Sequence, residues 1–531
     1  MLLTNGRIHT MDAAGSVVDS LVIRDGRVIF AGRRSDINTS TGEVMVDLGG
    51  SAVLPGLVDG HGHLMLLAKA RLELDLGAAS SEEDIAAMVA AAAARRRPGE
   101  WIAGRGWDQT RWPGQRFPTR TSLDRAAPGH PVALVRVDGH ATWASGPALA
   151  RAGITRQTSD PPGGRIARDP SGEATGLLID MAQDLVRPLV PPPSEERFDE
   201  AVRAVVAECL AKGLTGAHEP GVDLGGVASY TRLIGRGHFP FRVFAALSGK
   251  KAWGEYRERG AVETVGDGRL TVGAIKLWLD GALGSRGAAL HAPYCDDPGN
   301  TGLVLVPPEE VERLTREAAG LGFHVWVHAI GDRANTLVLD VFEKVRATGG
   351  PSLRLRVEHA QILAPADIPR FARLGVIPSM QPTHCTSDMR WAGERLGPER
   401  LDGAYAWRSV LDSGTYIAGG SDFPVEDANP FHGLHAAVTR RPREGDDPRW
   451  QPAQRMTRDE AVRSFTIWNA RSIGRASELG SLEPGKRADL IALSEDVFTC
   501  AEQAIAGIAP VLTMVGGEIV AGDPAAALPV R

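Results

Sequence analysis

Histidine, lysine and aspartate recur in this chain where short apolar runs end. His61 and His63 stand two positions apart in Gly60-His61-Gly62-His63, directly after the run Val53–Val58. Side chains two apart on an extended strand point to the same side, so both imidazoles can reach one metal ion. A short histidine pair alone is a weak signal. Four further residues of ligand type stand in or after later apolar runs: Lys276, His328, His359 and Asp422.

The donor atoms of this set favour a divalent metal ion. Imidazole nitrogen and carboxylate oxygen are ligands that zinc prefers, and zinc is therefore the expected metal. Sites of this composition also accept other divalent ions. Lys276 is the exception, because an ammonium group has no lone pair. It can contribute only if burial lowers its pKa and leaves a neutral amine.

Each of these residues also has an ordinary structural interpretation. A single histidine at a strand end is more often a hydrogen-bonded core or surface residue than a ligand. Lys276 could form an ion pair with Asp280, and Asp422 could cap the helix that follows it. The complete set favours the metal site, because so many coincidences in one order are improbable.

The segments that carry these residues alternate apolar strands with helical stretches, as βαβ units do. The predicted strands are Val53–Val58, Leu214–His218, Phe241–Leu247, Leu270–Leu277, Phe323–His328, Leu353–His359, Val376–Met380 and Tyr416–Gly419. They predict an α/β fold, a distorted (β/α)8 TIM-type barrel. Enzymes of that fold place their site at the carboxyl ends of the strands, where the candidates lie on the first, fourth, fifth, sixth and eighth.

Alternation along two strands gives a second expectation. Residues that share a face with a ligand candidate are Leu355 and Val357 before His359, and Tyr416, Ala418 and Gly420 before Asp422. Alternate residues of a strand lie on one side of the sheet. We therefore expect these residues to face the barrel interior, with His359 and Asp422 at its mouth.

The two ends of the chain predict a second domain. Short strands separated by turn-forming pairs such as Asp25-Gly26 and Gly516-Gly517 occupy both termini. Neither segment can bury its own face, so residues 1–55 and 480–531 are expected to form one β-sandwich. The barrel is assigned to residues 56–479. It includes an insertion at about 64–193, because the gap between its first two strands far exceeds a normal connection.

Composition excludes several classes of function. The net charge of −6 arises from 59 basic and 65 acidic residues without a long run of one sign, so we expect no nucleic-acid or membrane partner. No apolar run has the length of a transmembrane helix. Four cysteines stand far apart, which favours a reducing compartment and a cytoplasmic protein. A homodimer is the expected assembly.

Several motifs together resemble the amidohydrolase superfamily, and most closely the group of N-substituted formamide deformylases and YtcJ-like proteins (amidohydrolase family 3). The carrying segments are residues 54–63, 276–286, 328–332 and 420–422, with Asp138-Gly139-His140 and Gln381-Pro382-Thr383-His384 as further matches. The resemblance extends over essentially the whole chain. It is specific for fold and metal chemistry, and it says little about the substrate.

This resemblance implies a centre of one or two metal ions with two groups of ligands: His61, His63 and Asp422 in one, and His328 and His359 in the other. Lys276, carboxylated by carbon dioxide to a carbamate, would link them. Metal-bound hydroxide would attack the substrate carbonyl. Asp422 would then carry a proton to the departing nitrogen. His140 and His384 match family positions near the substrate.

The function that follows is hydrolysis of the C–N bond of a small-molecule N-substituted amide, such as a formamide or an N-acyl amine. The alternative within the superfamily is a deaminase or a cyclic-amide hydrolase. Lys276 argues against the deaminases, many of which use one metal without a bridging lysine. A non-enzymatic role, known for relatives that lost their ligands, conflicts with the complete ligand set.

Overall fold

Eight parallel strands form a barrel in the computed structural model of the chain. In chain order, the barrel strands are Leu57–Asp59, Leu214–Val222, Arg242–Leu247, Leu270–Trp278, His324–Ala329, Leu355–His359, Ile377–Met380 and Ala418–Gly419. The short strand Glu263–Val265 pairs antiparallel with the fourth. The amide of Gly60 donates to the carbonyl oxygen of Gly419 at 2.8 Å, which joins the ends of the first and eighth strands. The predicted barrel is therefore confirmed.

The structure describes residues 1–37, 44–137, 139–260, 262–347, 353–444 and 449–522. Among these described residues, those of 1–65 and 203–522 form one compact unit, and those of 66–202 form a second. Among the described residues, no helix is long and apolar enough to cross a membrane.

Amphipathic helices follow the barrel strands. In the helix Asp332–Arg346, Val338, Leu339, Phe342 and Val345 are buried at the three- and four-residue spacing of one helix face. The helices of the barrel unit are Leu224–Gly235, Lys250–Arg259, Pro308–Gly320, Asp332–Arg346, Ile368–Leu374, Pro382–Asp388, Ala392–Leu396, Trp407–Asp412, Pro430–Thr439, Arg458–Ser464 and Ile467–Ser472. The chain passes from one unit to the other within the helices Leu64–Leu72 and Glu195–Ala211.

The apolar run Val53–Val58 is divided between two sheets, which corrects the predicted first barrel strand. Ala52–Pro55 belongs to a terminal sheet, and only Leu57–Asp59 belongs to the barrel. Gly56 lies at the crossing, where a β-carbon would approach Thr215 to 2.3 Å. The chain passes so close to the second barrel strand that only glycine fits. A continuous apolar run does not reveal such a crossing.

Two terminal sheets pack together, and one of them contains strands from both ends of the chain. One sheet has the order Arg27–Gly32, Ser20–Arg24, Leu2–Thr4, Met45–Asp47; the other has the order Glu518–Gly522, Pro510–Val515, Leu490–Leu493, Ala52–Pro55, Arg7–His9, Val17–Val18. Leu490–Leu493 pairs antiparallel with Ala52–Pro55. The two sheets share one hydrophobic core, in which Leu3, Leu21 and Leu512 are fully buried. The predicted sandwich of both termini is confirmed, and its limits at 1–55 and 480–531 stay a prediction.

The insertion after the first barrel strand has its own sheet and core. Its strands follow the order Gly164–Arg168, Ala174–Asp180, Ala141–Ala144, Val132–Arg136, Ile102–Trp107, Leu74–Asp75, and its helices are Glu82–Ala93, Arg120–Ala126 and Gly146–Arg151. Trp107, Trp112 and Trp143 are buried with ring centroids 6.0 to 6.4 Å apart. These tryptophans belong to the hydrophobic core of the insertion.

Candidate metal centre

Four imidazoles and one carboxylate meet at the carboxyl end of the barrel. Ligand atoms of His61, His359 and Asp422 all lie within 4.8 Å of one another. The ring centroid of His61 is 5.3 Å from that of His63, and the ring centroid of His328 is 4.6 Å from that of His359. Five of the six predicted ligands are thus gathered around one point.

Asp422 follows the eighth strand in a left-handed conformation, with φ of 62°. Its amide donates to the carbonyl oxygen of His61 at 2.6 Å. Its carboxylate oxygen Oδ1 lies 3.0 Å from Nε2 of His63 and 3.5 Å from Nε2 of His61. A β-carbon at Gly420 would meet the amide nitrogen of His61, so this strand face turns inward as expected.

His359 reaches the centre by a different route from the one that alternation predicts. Arg356 and Glu358 face the barrel interior, where Arg356 lies 4.0 Å over the Trp326 ring, so Leu355 and Val357 face outward. The expected inward face of the sixth strand was wrong. A positive φ of 75° at His359 turns its side chain back toward the interior.

The outer ring nitrogens of two predicted ligands are already engaged. Nδ1 of His61 lies 2.5 Å from the Glu358 carboxylate, and Nδ1 of His359 lies 2.9 Å from the side-chain oxygen of Gln381. An acceptor on Nδ1 places the proton there and leaves the Nε2 lone pair free, as in protein metal sites. Nε2 of His328 is buried and makes no hydrogen bond among the described residues, although the carboxylate of Asp280 lies 3.5 Å away. These donor atoms fit a divalent ion.

The electrostatics also suit a cation. Burial and the nearby Lys276 lower the pKa of His61 to about 4 and that of His328 to about 3. Burial alone would raise the pKa of Asp422, but the surrounding histidines, His61 first, hold it well below its usual value. Neutral imidazoles beside an ionised carboxylate are the protonation state that binds a metal.

Lys276 is buried among these residues, and burial lowers its pKa to about 8. Its amine lies 5.5 Å from the Trp278 ring centroid, and no carboxylate of the described residues forms an ion pair with it. Asp280 instead accepts hydrogen bonds from the amides of Ile330 and Gly331 at 3.0 and 2.8 Å. The alternative of a Lys276–Asp280 ion pair is therefore wrong.

His384 lies beside Asp422, whereas His140 belongs to the unit of residues 66–202. Nε2 of His384 is 3.7 Å from Oδ2 of Asp422, and its ring stacks near His359 with centroids 6.0 Å apart. His140 has an exposed side chain, with Nδ1 2.9 Å from the carboxylate of Asp180. Asp138, part of the same motif, lies outside the described residues.

Three further histidines of the barrel unit have structural partners. His218 is buried, and its Nδ1 accepts from Arg356 at 3.0 Å. His324 is stacked on Phe244 with ring centroids 5.9 Å apart. His432, on the buried helix Pro430–Thr439, accepts a hydrogen bond from Arg443 at 3.0 Å.

Sequence reasoning missed the polar residues that support the ligands. Asp59 is buried, and its carboxylate accepts from the amide of His61 at 2.9 Å and from the Ser421 hydroxyl at 2.7 Å. Arg356 and Glu358 were overlooked as well. Two charged residues inside an apolar strand were the available signal, because buried charges must be paired.

The sequence is similar to those of several known proteins. The sequence profile of the "Amidohydrolase family" matches residues 44–521. Protein LONG AFTER FAR-RED 3 of Arabidopsis thaliana is 36% identical over 516 residues, which cover 93% of this chain and 87% of the relative. Putative amidohydrolase YtcJ of Bacillus subtilis is 34% identical, covering 97% of this chain and 98% of the relative.

Two further proteins extend the comparison to a named activity and to a solved structure. N-substituted formamide deformylase of Arthrobacter pascens is 30% identical and covers 97% of each chain. The crystal structure of an uncharacterized metal-dependent hydrolase from Pyrococcus horikoshii superposes with a TM-score of 0.80 at 30% identity, over 94% of this chain and 98% of the other.

Proposed function

The chain belongs to the amidohydrolase family, and from this premise we propose that it is a metal-dependent hydrolase of the C–N bond in a small N-substituted amide. Formamides and N-acyl amines are the favoured substrate class. The observation that carries the proposal is the cluster of His61, His359 and Asp422, with Lys276 buried beside it. Similarity to a formamide deformylase over 97% of both chains supports the choice of substrate class.

The residues of the centre are suited to two ligand groups. His61, His63 and Asp422 would hold one ion and His328 with His359 a second, and zinc is the first candidate metal. When bound, a divalent ion lowers the pKa of a water molecule and polarises a substrate carbonyl.

Lys276 is proposed to be the bridging ligand. Its neutral amine would attack carbon dioxide, forming an N–C bond and releasing one proton, which leaves an anionic carbamate with two oxygen donors. Burial of the amine and its lack of a carboxylate partner among the described residues support this assignment. The carbamate would supply the negative charge that an ammonium lacks.

Proton transfer is assigned to Asp422 with His384 as its neighbour. Oδ1 of Asp422 faces His61 and His63, whereas Oδ2 lies 3.7 Å from Nε2 of His384. The carboxylate would accept the proton of the attacking water and deliver it to the departing nitrogen. Amines leave poorly until they are protonated, so this step is required for amide cleavage.

A second candidate is a deaminase or a cyclic-amide hydrolase of the same superfamily, and a deaminase would need only one ion. The three atoms within 4.8 Å of one another come from both proposed ligand groups, because His61 and Asp422 belong to one and His359 to the other. One ion at their centre would need no bridge from Lys276.

Substrate and metal assays separate the candidates. The protein is stripped with a chelator, reloaded with zinc or manganese, and tested on linear formamides and N-acyl amines, cyclic amides and aminated heterocycles. We expect turnover of linear amides, with amine release, and about two ions per chain. Ammonia release from heterocycles by protein carrying one ion would favour the second candidate and contradict the first.

A further inference from the structure

A fully buried guanidinium occupies the barrel interior beneath the metal centre. Arg356 is 0% exposed. Its Nε and Nη2 donate to the two carboxylate oxygens of Glu358 at 2.8 and 2.9 Å. Removing charged groups from water is costly unless they are paired with good geometry, and a two-pronged arginine–carboxylate pair provides it. Arg356 therefore makes an ionised carboxylate possible where no water reaches.

The carboxylate of Glu358 contacts His61, a proposed metal ligand. Its Oε2 lies 2.5 Å from Nδ1 of His61. An ionised carboxylate can only accept, so the His61 ring must carry its proton on Nδ1. Nε2, on the side of Asp422, then has its lone pair free.

The same guanidinium holds the backbone of this ligand. Nη2 of Arg356 donates to the carbonyl oxygen of Gly60 at 2.7 Å and to the Ser379 hydroxyl at 2.9 Å. Gly60 directly precedes His61, so Arg356 fixes the main chain of the ligand and Glu358 fixes its ring. His359 differs, because its partner is the neutral amide of Gln381.

We propose that Arg356 and Glu358 are positioning residues that hold His61 as an Nε2 ligand, with the Glu358 carboxylate as the anionic acceptor behind its ring. This inference rests on the proposed function. An ionised acceptor makes a stronger hydrogen bond to Nδ1 of His61 than the neutral Gln381 amide makes to Nδ1 of His359. Outer partners of this kind are worth roughly 10- to 100-fold in metal affinity.

The test substitutes Glu358→Gln, which keeps the size and one acceptor oxygen but removes the charge. Metal-free protein is titrated with Co²⁺ against a competing chelator, and the visible spectrum of the bound ion is recorded. We expect the tightest Co²⁺ affinity to fall roughly 10- to 100-fold with an altered spectrum. The control Glu343→Gln makes the same change at a carboxylate that is 43% exposed, and should leave both unchanged.

Loss of one member of a buried ion pair can prevent folding, so the double variant Arg356→Gln/Glu358→Gln removes both charges together. Thermal unfolding of each metal-free variant reports the fold separately from metal binding. Wild-type Co²⁺ affinity in either folded variant would overturn the inference alone. Wild-type protein that binds no divalent ion would overturn the proposed function as well.

Discussion

The amide of Asp422 donates a 2.6 Å hydrogen bond to the carbonyl oxygen of His61, so the loops after the first and eighth barrel strands are tied together. Asp59 adds a second tie, because its carboxylate accepts from the amides of His61 and Ser421. Residues far apart in sequence are thus held together by hydrogen bonds of the protein itself. Such preorganisation by neighbouring hydrogen bonds is what a functional site requires.

Asp422→Asn should separate metal binding from proton transfer. The amide still offers one neutral oxygen to a metal ion but cannot carry a proton. We expect the fold and much of the metal to remain while turnover falls by roughly 10²–10⁴. Kinetics and metal content are measured on one preparation, with Asp412→Asn, at a side chain 63% exposed, as the control. Near-normal turnover in a metallated Asn variant would move the proton-transfer role to another residue, with His384 tested first.

Lys276→Ala should lose both metal and activity if a carbamate on this lysine bridges two ions. A small carboxylic acid such as acetate, added at high concentration, should partly restore both, because its oxygens can replace those of the carbamate. The control Lys344→Ala removes an amine that is 64% exposed and should change neither. An unmodified ammonium in a crystal of active, metal-loaded protein would contradict the bridge.

The parts of the fold and centre that follow from sequence are those governed by short-range pattern. Alternating strands and helices predict the barrel, and the two-residue spacing of His61 and His63 places both imidazoles at its mouth. The eighth strand shows the predicted inward face as far as Gly420. In each case a local periodicity carries the information.

The remainder depends on contacts between distant residues. Alternation fails at His359 because its positive φ turns the side chain to the opposite face of the strand. The neighbouring sequence gives no signal for this backbone conformation. Arg356 and Glu358 look like solvent-facing residues until Gly60 and His61, almost 300 positions away, are placed beside them. The division at Gly56 likewise depends on the closeness of Thr215.

His324→Gln should reduce the acid sensitivity of the fold. Burial lowers the pKa of His324 to about 4, so between pH 6.5 and 4 the unfolded chain binds a proton that the folded chain excludes. The contribution of neutral His324 to the free energy of unfolding is therefore fully present above pH 6.5 and is lost as the pH falls toward 4. Between pH 7.5 and 5, protonation of this residue in the unfolded chain lowers the free energy of unfolding by about 2 kcal/mol. Urea unfolding at both values, with the exposed His238→Gln as control, should show a smaller loss only for His324→Gln.

Deletion of residues 488–531 should make the protein insoluble. The deletion removes Leu490–Leu493, the antiparallel partner of Ala52–Pro55, and exposes the buried side chains of Leu3 and Leu21. A smaller test replaces the fully buried Leu512 with Asp and compares it with Val17→Asp, at a side chain that is 52% exposed. Soluble yield and thermal unfolding are measured. A soluble, active deletion variant would show that the terminal sandwich is dispensable.

Gly56→Ala should destabilise the junction between the terminal sheet and the barrel. Its β-carbon would approach Cγ2 and Oγ1 of Thr215 to 2.3 Å, and overpacking of this kind costs about 1–3 kcal/mol. Thr215→Ala in the same chain removes both close atoms and should restore part of the loss. The control Gly393→Ala lies in the helix Ala392–Leu396 with nothing within 4 Å, and should be neutral or stabilising by up to about 1 kcal/mol. The urea midpoints of wild type, the two single variants and the double variant are compared. Equal midpoints for Gly56→Ala and wild type would mean that the chain at Gly56 has room for a side chain.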